Sequence, residues 1–176
     1  DNETMIEAFA GNSRKYEPDT YDHILFSFHG LPERQLAKSD HTQQHCLKNE
    51  NCCATLTNDN KFCYSAQCYD TARLIAEKLS LPKDKYTVCF QSRLGKNPWV
   101  QPYTSAVVKD LANKGMKRLL VFCPAFVADC LETVYEVTVE YGNEFKVLGG
   151  EHVQLVESLN DNPLWIDALE GLVKNR

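Results

Sequence analysis

The sequence contains no apolar run that approaches the roughly 18 residues of a membrane-spanning helix. It also lacks a basic excess, because 19 Lys and Arg stand against 24 Asp and Glu and give a net charge of −5. A nucleic-acid-binding domain usually carries a basic face, so we expect no nucleic acid among the partners.

With only 8 Gly and 7 Pro in 176 residues, disordered and collagen-like chains are excluded. What remains is one globular domain with a full hydrophobic core. Because it begins at Asp1 in a polar stretch, we expect a fragment of a longer protein.

The eight cysteines are unevenly distributed along the chain. Five of them occupy one window: Cys46, Cys52, Cys53, Cys63 and Cys68. Their spacing, C-x5-C-C-x9-C-x4-C, lacks both the C-x2-C pair of zinc ribbons and the common ferredoxin pattern. A thiolate site for an iron–sulfur cluster or for zinc, with His41 or His45 replacing one thiolate, is one interpretation. Reduced free thiols on a surface insertion are the other.

Apolar runs alternate with segments of helical period, and this alternation predicts an α/β fold. We expect a three-layer αβα sandwich around a parallel four-stranded sheet. The predicted strands are 23–28, 86–91, 118–122 and 153–156, and the predicted helices are 2–9, 67–79, 103–114, 129–141 and 163–174. Residues 1–22 are expected to form an N-terminal helix and a linker, and residues 23–176 the main domain. A polar, Cys-rich insertion without clear period covers about 33–68.

Ligands of parallel sheets usually bind beyond the carboxyl ends of the strands. His29 follows the first strand on a stiff Gly-Leu-Pro turn, where its imidazole either serves a site or satisfies a backbone carbonyl. After the second strand, Arg93 suits a ligand carboxylate or is an ordinary surface residue. Trp99, between prolines, suits a flat apolar ligand or caps the edge of the core.

A carboxylate stripe follows the third strand, because Glu132, Glu136 and Glu140 lie four residues apart on a predicted helix. Val134, Val137 and Tyr141 are expected on the opposite face. Such a stripe is either a solvated helix face or a path for a cation. Like charges at this spacing destabilise a helix by a few tenths of a kcal/mol per pair.

Three segments at the strand ends together resemble the ferrochelatases, the enzymes that insert ferrous iron into protoporphyrin IX. They are SFHGLP at 27–32, FQSRLG at 90–95 with PW at 98–99, and PAFVADCLET at 124–133. The resemblance extends from about residue 23 to residue 173 but covers only the C-terminal half of that family. It implies that an N-terminal domain of the same enzyme is missing, with the porphyrin bound between the two domains.

The resemblance also implies roles for single residues. His29 is the active-site histidine and Glu132 the facing carboxylate. Both are candidate metal ligands, His29 is alternatively the proton acceptor, and which residue has which role is left open. Glu136 and Glu140 continue an acidic line for the metal, and Trp99 contacts the macrocycle. We further expect a cytoplasmic location, with peripheral membrane contact left open because the substrate is hydrophobic.

The Cys-rich window resembles the insertion of a subset of bacterial ferrochelatases that carry a [2Fe–2S] cluster. On this basis Cys46, Cys63 and Cys68 are the expected ligands, with Cys52 or Cys53 as the fourth. Two other readings remain. One is a non-enzymatic metal- or Fe–S-binding domain, and the other is a chelatase for another metal or tetrapyrrole.

Overall fold

A computed structural model of the chain describes residues 2–48 and 51–174. Its centre is a four-stranded sheet in the order β2-β1-β3-β4, and every neighbouring pair is parallel. The strands are β1 His23–His29, β2 Tyr86–Gln91, β3 Arg118–Phe122 and β4 His152–Leu155. The helices are α1 Glu3–Arg14, α2 Glu33–Ser39, α3 Tyr64–Lys78, α4 Thr104–Asn113, α5 Gly142–Val147 and α6 Pro163–Lys174. A π-helix, Leu131–Tyr141, leads directly into α5.

Two apolar layers cover the two faces of the sheet, which confirms the predicted αβα sandwich. Ile24 and Phe26 of β1 belong to the layer that also holds buried side chains of α1 and α3. Leu25 of the same strand belongs to the other layer, together with side chains of α4, the π-helix and α5. This alternation follows from the two-residue period of a strand. A strand that is buried on both faces needs the continuous apolar run seen in β1.

Several helix ends follow local capping chemistry. The side chain of Asn2 accepts a hydrogen bond from the backbone N–H of Met5 at 3.0 Å and starts α1. Gly115, with φ of +84°, ends α4 as the sequence predicts. There the N–H of Met116 reaches back to the carbonyl of Leu111.

Two predictions are wrong by more than three residues, and α3 begins at Tyr64, three residues earlier than predicted. The first helix does not stop at residue 9, because Ala10 and Ser13 are also buried and α1 continues to Arg14. Residues 33–39, predicted as part of a structureless insertion, form helix α2. Only Leu36 of that helix is buried, so its sequence carries almost no periodic apolar pattern. In the described ranges no helix is both long and apolar enough to cross a membrane.

Candidate active site

The loops that follow β1 and β2 meet at the carboxyl edge of the sheet. His29, the last residue of β1, stands opposite Gln91, the last residue of β2. Beyond them an isolated bridge joins Pro32 to Trp99, and the N–H of Val100 donates to the carbonyl of Leu31 at 2.9 Å. The two loops are therefore held to each other by backbone contacts.

His29 is held at both its ring and its backbone. Its Nδ1 lies 2.6 Å from the carbonyl oxygen of Gly30, and its own carbonyl accepts a hydrogen bond from the Tyr64 hydroxyl at 2.8 Å. Because a carbonyl can only accept, Nδ1 carries the proton and Nε2 of the neutral ring keeps a lone pair. The aromatic rings of Trp99 and Phe126 lie at 6.2 and 5.9 Å from the imidazole centroid. The imidazole therefore presents a basic nitrogen within an aromatic surround.

Trp99 packs directly over Gly30. A Cβ atom at Gly30 would lie 3.2 Å from Cε3 of the indole and 3.0 Å from the carbonyl oxygen of Gln91. The indole Nε1 is buried and has no hydrogen-bond partner in the described part of the chain. Arg93, by contrast, is exposed, and its guanidinium lies over the ring of Tyr103 at 5.0 Å. The role of both residues as substrate contacts stays a prediction.

Glu132 lies in the first turn of the π-helix, near His29. Cys130 begins this turn, where its N–H donates to the Thr133 hydroxyl at 3.0 Å. The pKa of the Glu132 carboxyl is lowered, first by its own backbone N–H and then by the Cys130 thiol. A Coulombic interaction with His29 adds to this lowering, while partial burial opposes it. Glu132 thus lies close enough to His29 for an electrostatic interaction, and their roles as facing partners stay a prediction.

Glu136 has a different environment from Glu132. Its carboxylate accepts hydrogen bonds from the amide of Gln91, from the backbone and hydroxyl of Ser92, and from the Tyr141 hydroxyl. Glu140, one further step along, is exposed. The predicted acidic line therefore consists of a half-buried Glu132, a firmly bonded Glu136 and a solvated Glu140.

The helix that carries this line is a π-helix, whereas the sequence predicts an α-helix. In a π-helix the backbone bonds run from residue i to i+5. Residues four apart stay on one side, and Thr133, Val137 and Tyr141 form its buried face. In this wider helix, a residue three positions away points to a different side. Val134, predicted on the buried face, is accordingly 50% exposed.

A buried polar network supports the site, and the sequence analysis missed it. Gln91 accepts hydrogen bonds from the Ser27 hydroxyl at 2.7 Å and from the Cys123 thiol at 3.4 Å. The Ser27 hydroxyl also lies 2.8 Å from that of Thr104. The available indication was a polar residue within each of two otherwise apolar strands, because buried polar groups need partners.

The thiols of the Cys-rich window are near one another but form no disulfide. The sulfurs of Cys52 and Cys53 lie 3.6 Å apart. Cys63 interacts with the thiols of both Cys53 and Cys46. Cys68, on the buried face of α3, interacts with the hydroxyl of Tyr64 and also with Cys63.

The acidity of these thiols differs. The hydrogen bond from Cys53 lowers the pKa of Cys63 to about 6, while burial raises that of Cys46 to about 11. Across residues 2–48 and 51–174, no three His, Cys, Asp or Glu side chains are arranged to hold a metal ion. The cluster therefore stays a prediction.

Asp40 and Asn60 shape the window around these thiols. One carboxylate oxygen of Asp40 accepts from the backbone N–H groups of His45 and Cys46 at 2.8 and 2.7 Å. The other accepts from the N–H and hydroxyl of Thr42 at 3.0 and 2.6 Å. These bonds, led by that of the Thr42 hydroxyl, lower the pKa of Asp40 well below its usual range. Asn60 is buried and donates to the carbonyl of Cys52 at 3.0 Å.

Comparison with known proteins decides the family. The ferrochelatase family model matches residues 1–176. The chain belongs to the ferrochelatase family. It is 48% identical over 173 residues to the ferrochelatase of Pseudomonas fluorescens strain SBW25, covering 98% of this chain and 51% of that protein. It is 42% identical over 172 residues to the ferrochelatase of Coxiella burnetii strain Dugway 5J108-111, covering 98% of this chain and 48% of that protein.

The chain thus spans about half the length of the ferrochelatases it matches. The predicted family and fold are confirmed. The individual site residues inferred from the resemblance stay predictions, although His29 and Glu132 lie close enough to interact electrostatically.

Proposed function

We propose that this chain is one half of a protein that inserts ferrous iron into protoporphyrin IX to form protohaem. The observation that carries this proposal is that His29 and Glu132 lie close enough at the carboxyl edge of the sheet to interact electrostatically. Trp99 and Phe126 give this pair an aromatic surround that suits a flat, apolar macrocycle. Iron is the substrate of the reaction, and the other half of the protein is the partner that would complete the cleft.

Metal insertion requires that two pyrrole N–H protons leave the porphyrin as the cation enters. Distortion of the ring points a nitrogen lone pair out of plane, and such ground-state strain is typically worth about 1–5 kcal/mol. Nε2 of His29 is the group suited to accept a proton, because Nδ1 is bonded to Gly30. Glu132, whose lowered pKa keeps it ionised at neutral pH, supplies the negative charge that attracts the cation.

The decisive experiment measures iron and zinc insertion into protoporphyrin by a protein that carries both halves. We expect His29→Ala and Glu132→Gln each to lower turnover by at least about a hundredfold, because each removes a reacting group. His152→Ala is the matched control, since His152 is exposed at the start of β4, at the opposite edge of the sheet.

Near-normal turnover in both site variants would contradict the assignment. Faster insertion of cobalt, or turnover of only a more polar macrocycle, would favour another chelatase. An inactive unsubstituted protein that still binds iron and sulfide would favour a non-enzymatic cluster domain.

We also infer that the Cys-rich window holds a [2Fe–2S] cluster. Thiolates are the usual ligands of such clusters. Cys46, Cys52, Cys53 and Cys63 each interact with two others of these four, whereas Cys68 interacts among them with Cys63 alone, so we favour the four as the ligand set. A bound cluster would supply a cross-link between the turns of the window and the start of α3. Metal insertion is not a redox reaction, so electron transfer is not required of it.

An absorption spectrum with iron and sulfide analysis on anaerobically purified protein tests the cluster. We expect visible charge-transfer bands with equal iron and sulfide, and their loss in Cys46→Ser and Cys63→Ser. Cys68→Ser is the control that should keep them. A colourless protein with zinc, or with no metal, would contradict the cluster, and loss in Cys68→Ser would restore the ligand set first expected.

A further inference from the structure

Gln91 is a buried amide at the junction of the sheet and the π-helix. Gln91 is the last residue of β2 and stands opposite His29, and only 2% of the residue is exposed. An amide buried to this degree is costly unless its oxygen and nitrogen both find partners. The contacts of Gln91 therefore define what it holds together.

The two ends of this amide face different parts of the molecule. The oxygen accepts from Ser27 of β1 at 2.7 Å and from Cys123, which follows β3, at 3.4 Å. The nitrogen donates to the backbone carbonyl of Glu132 at 2.5 Å and to the Glu136 carboxylate at 3.1 Å. Because both groups on the helix side can only accept, the NH₂ group must face the π-helix.

We propose that Gln91 is a positioning residue that fixes the first turn of the π-helix, and with it Glu132, relative to His29. The proposal rests on the proposed function of the His29–Glu132 pair. Gln91 joins the end of the strand beside His29 to the backbone of Glu132 itself, so a single side chain sets the relation between the two. Its amide has hydrogen-bond partners at both ends, so its role needs no contact with substrate.

Two substitutions at Gln91 and one control test this role in a protein that carries both halves. Gln91→Leu removes both ends of the link with little change in volume. Gln91→Glu keeps an acceptor for Ser27 but places a carboxylate against the Glu132 carbonyl and the Glu136 carboxylate. Thr87→Val is the control, because Thr87 lies in the same strand at the opposite end and bonds His23 at 2.8 Å.

We expect Gln91→Leu to lower kcat about 10- to 100-fold, as the loss of a supporting hydrogen bond at a metal site typically does. Gln91→Glu should lower it further, while KM for porphyrin stays within about twofold for both. Thr87→Val should match the unsubstituted kcat. An unchanged kcat, or a raised KM with unchanged kcat, would overturn the positioning role.

Backbone hydrogen exchange provides a readout that does not depend on turnover. Amides of residues 131–136 should exchange at least about tenfold faster in Gln91→Leu but not in Thr87→Val, because only the first loses the link to the helix. Unchanged exchange in Gln91→Leu would overturn the proposal even if the enzyme is active. If the unsubstituted protein inserts no iron, the proposed function fails, and the exchange experiment still decides the role of Gln91.

Discussion

At the scale of single residues, the candidate site depends on a glycine as much as on its ionisable groups. Gly30 follows His29, and the indole of Trp99 and the backbone of Gln91 leave no room for a side chain there. The carbonyl of Gly30 also holds Nδ1 of His29. The same residue therefore sets the tautomer of the imidazole and the position of the indole.

Gly30→Ala should destabilise the protein by about 1–3 kcal/mol, the usual cost of overpacking a filled site. It should also lower iron insertion, because the indole beside His29 must shift. Gly11→Ala is the control, since Gly11 lies within α1 with no atom within 4 Å of its added Cβ. The control should gain roughly 0.5–1 kcal/mol from helix propensity. Urea denaturation measures both changes, and equal stability of the two variants would contradict the packing argument.

At the scale of elements, the strands followed from the sequence better than the helices did. β2 and β3 have their predicted bounds, because breakers on both sides delimit each apolar run. The π-helix could not be predicted, since Thr133, Val137 and Tyr141 at four-residue spacing fit either helix type. The Glu132 carbonyl also accepts from Gln91, and residue spacing gives no sign of such a contact between distant parts of the chain. The sequence predicted His29 and Glu132 as site residues, because ionisable side chains in these motifs point to a site. It did not predict Gln91 and Ser27, because their hydrogen bonds join distant parts of the chain.

The turn that begins the Cys-rich window depends on one carboxylate, that of Asp40. The pKa of Asp40 is lower in the folded protein than its value of about 4 in the unfolded chain. The contribution of Asp40 to stability is therefore present above about pH 4 and is lost as the pH falls below that value. Asp40→Asn should therefore reduce the urea midpoint at pH 7, and the difference from the unsubstituted protein should shrink between about pH 4 and pH 3. Asp59→Asn, an exposed carboxylate of the same window, should show no such difference. A difference for Asp40→Asn that stays constant down to pH 3 would contradict this role.

At the scale of the whole molecule, the candidate site borders an apolar surface that this chain leaves open. Val127, Leu131, Val134 and Tyr135 lie in or just before the π-helix, and Leu131 is 77% exposed. Apolar side chains gathered beside a site usually mark a ligand or an interface. Because the chain spans about half the length of its relatives, the second half and the porphyrin are the expected occupants.

The 176-residue chain alone should therefore turn over no measurable iron, although its two apolar layers give it a core of its own. Co-expression with the other half of the protein should restore insertion, because we expect the macrocycle to be enclosed on both sides, and water excluded, only then. The measurement is haem formation by the separate and combined halves, with retention of secondary structure checked by circular dichroism. Combining the other half with a His29→Ala chain is the control and should remain inactive. Full turnover by the chain alone would show that one face suffices to bind and distort the porphyrin, and the exposed surface at Leu131 would then need another partner.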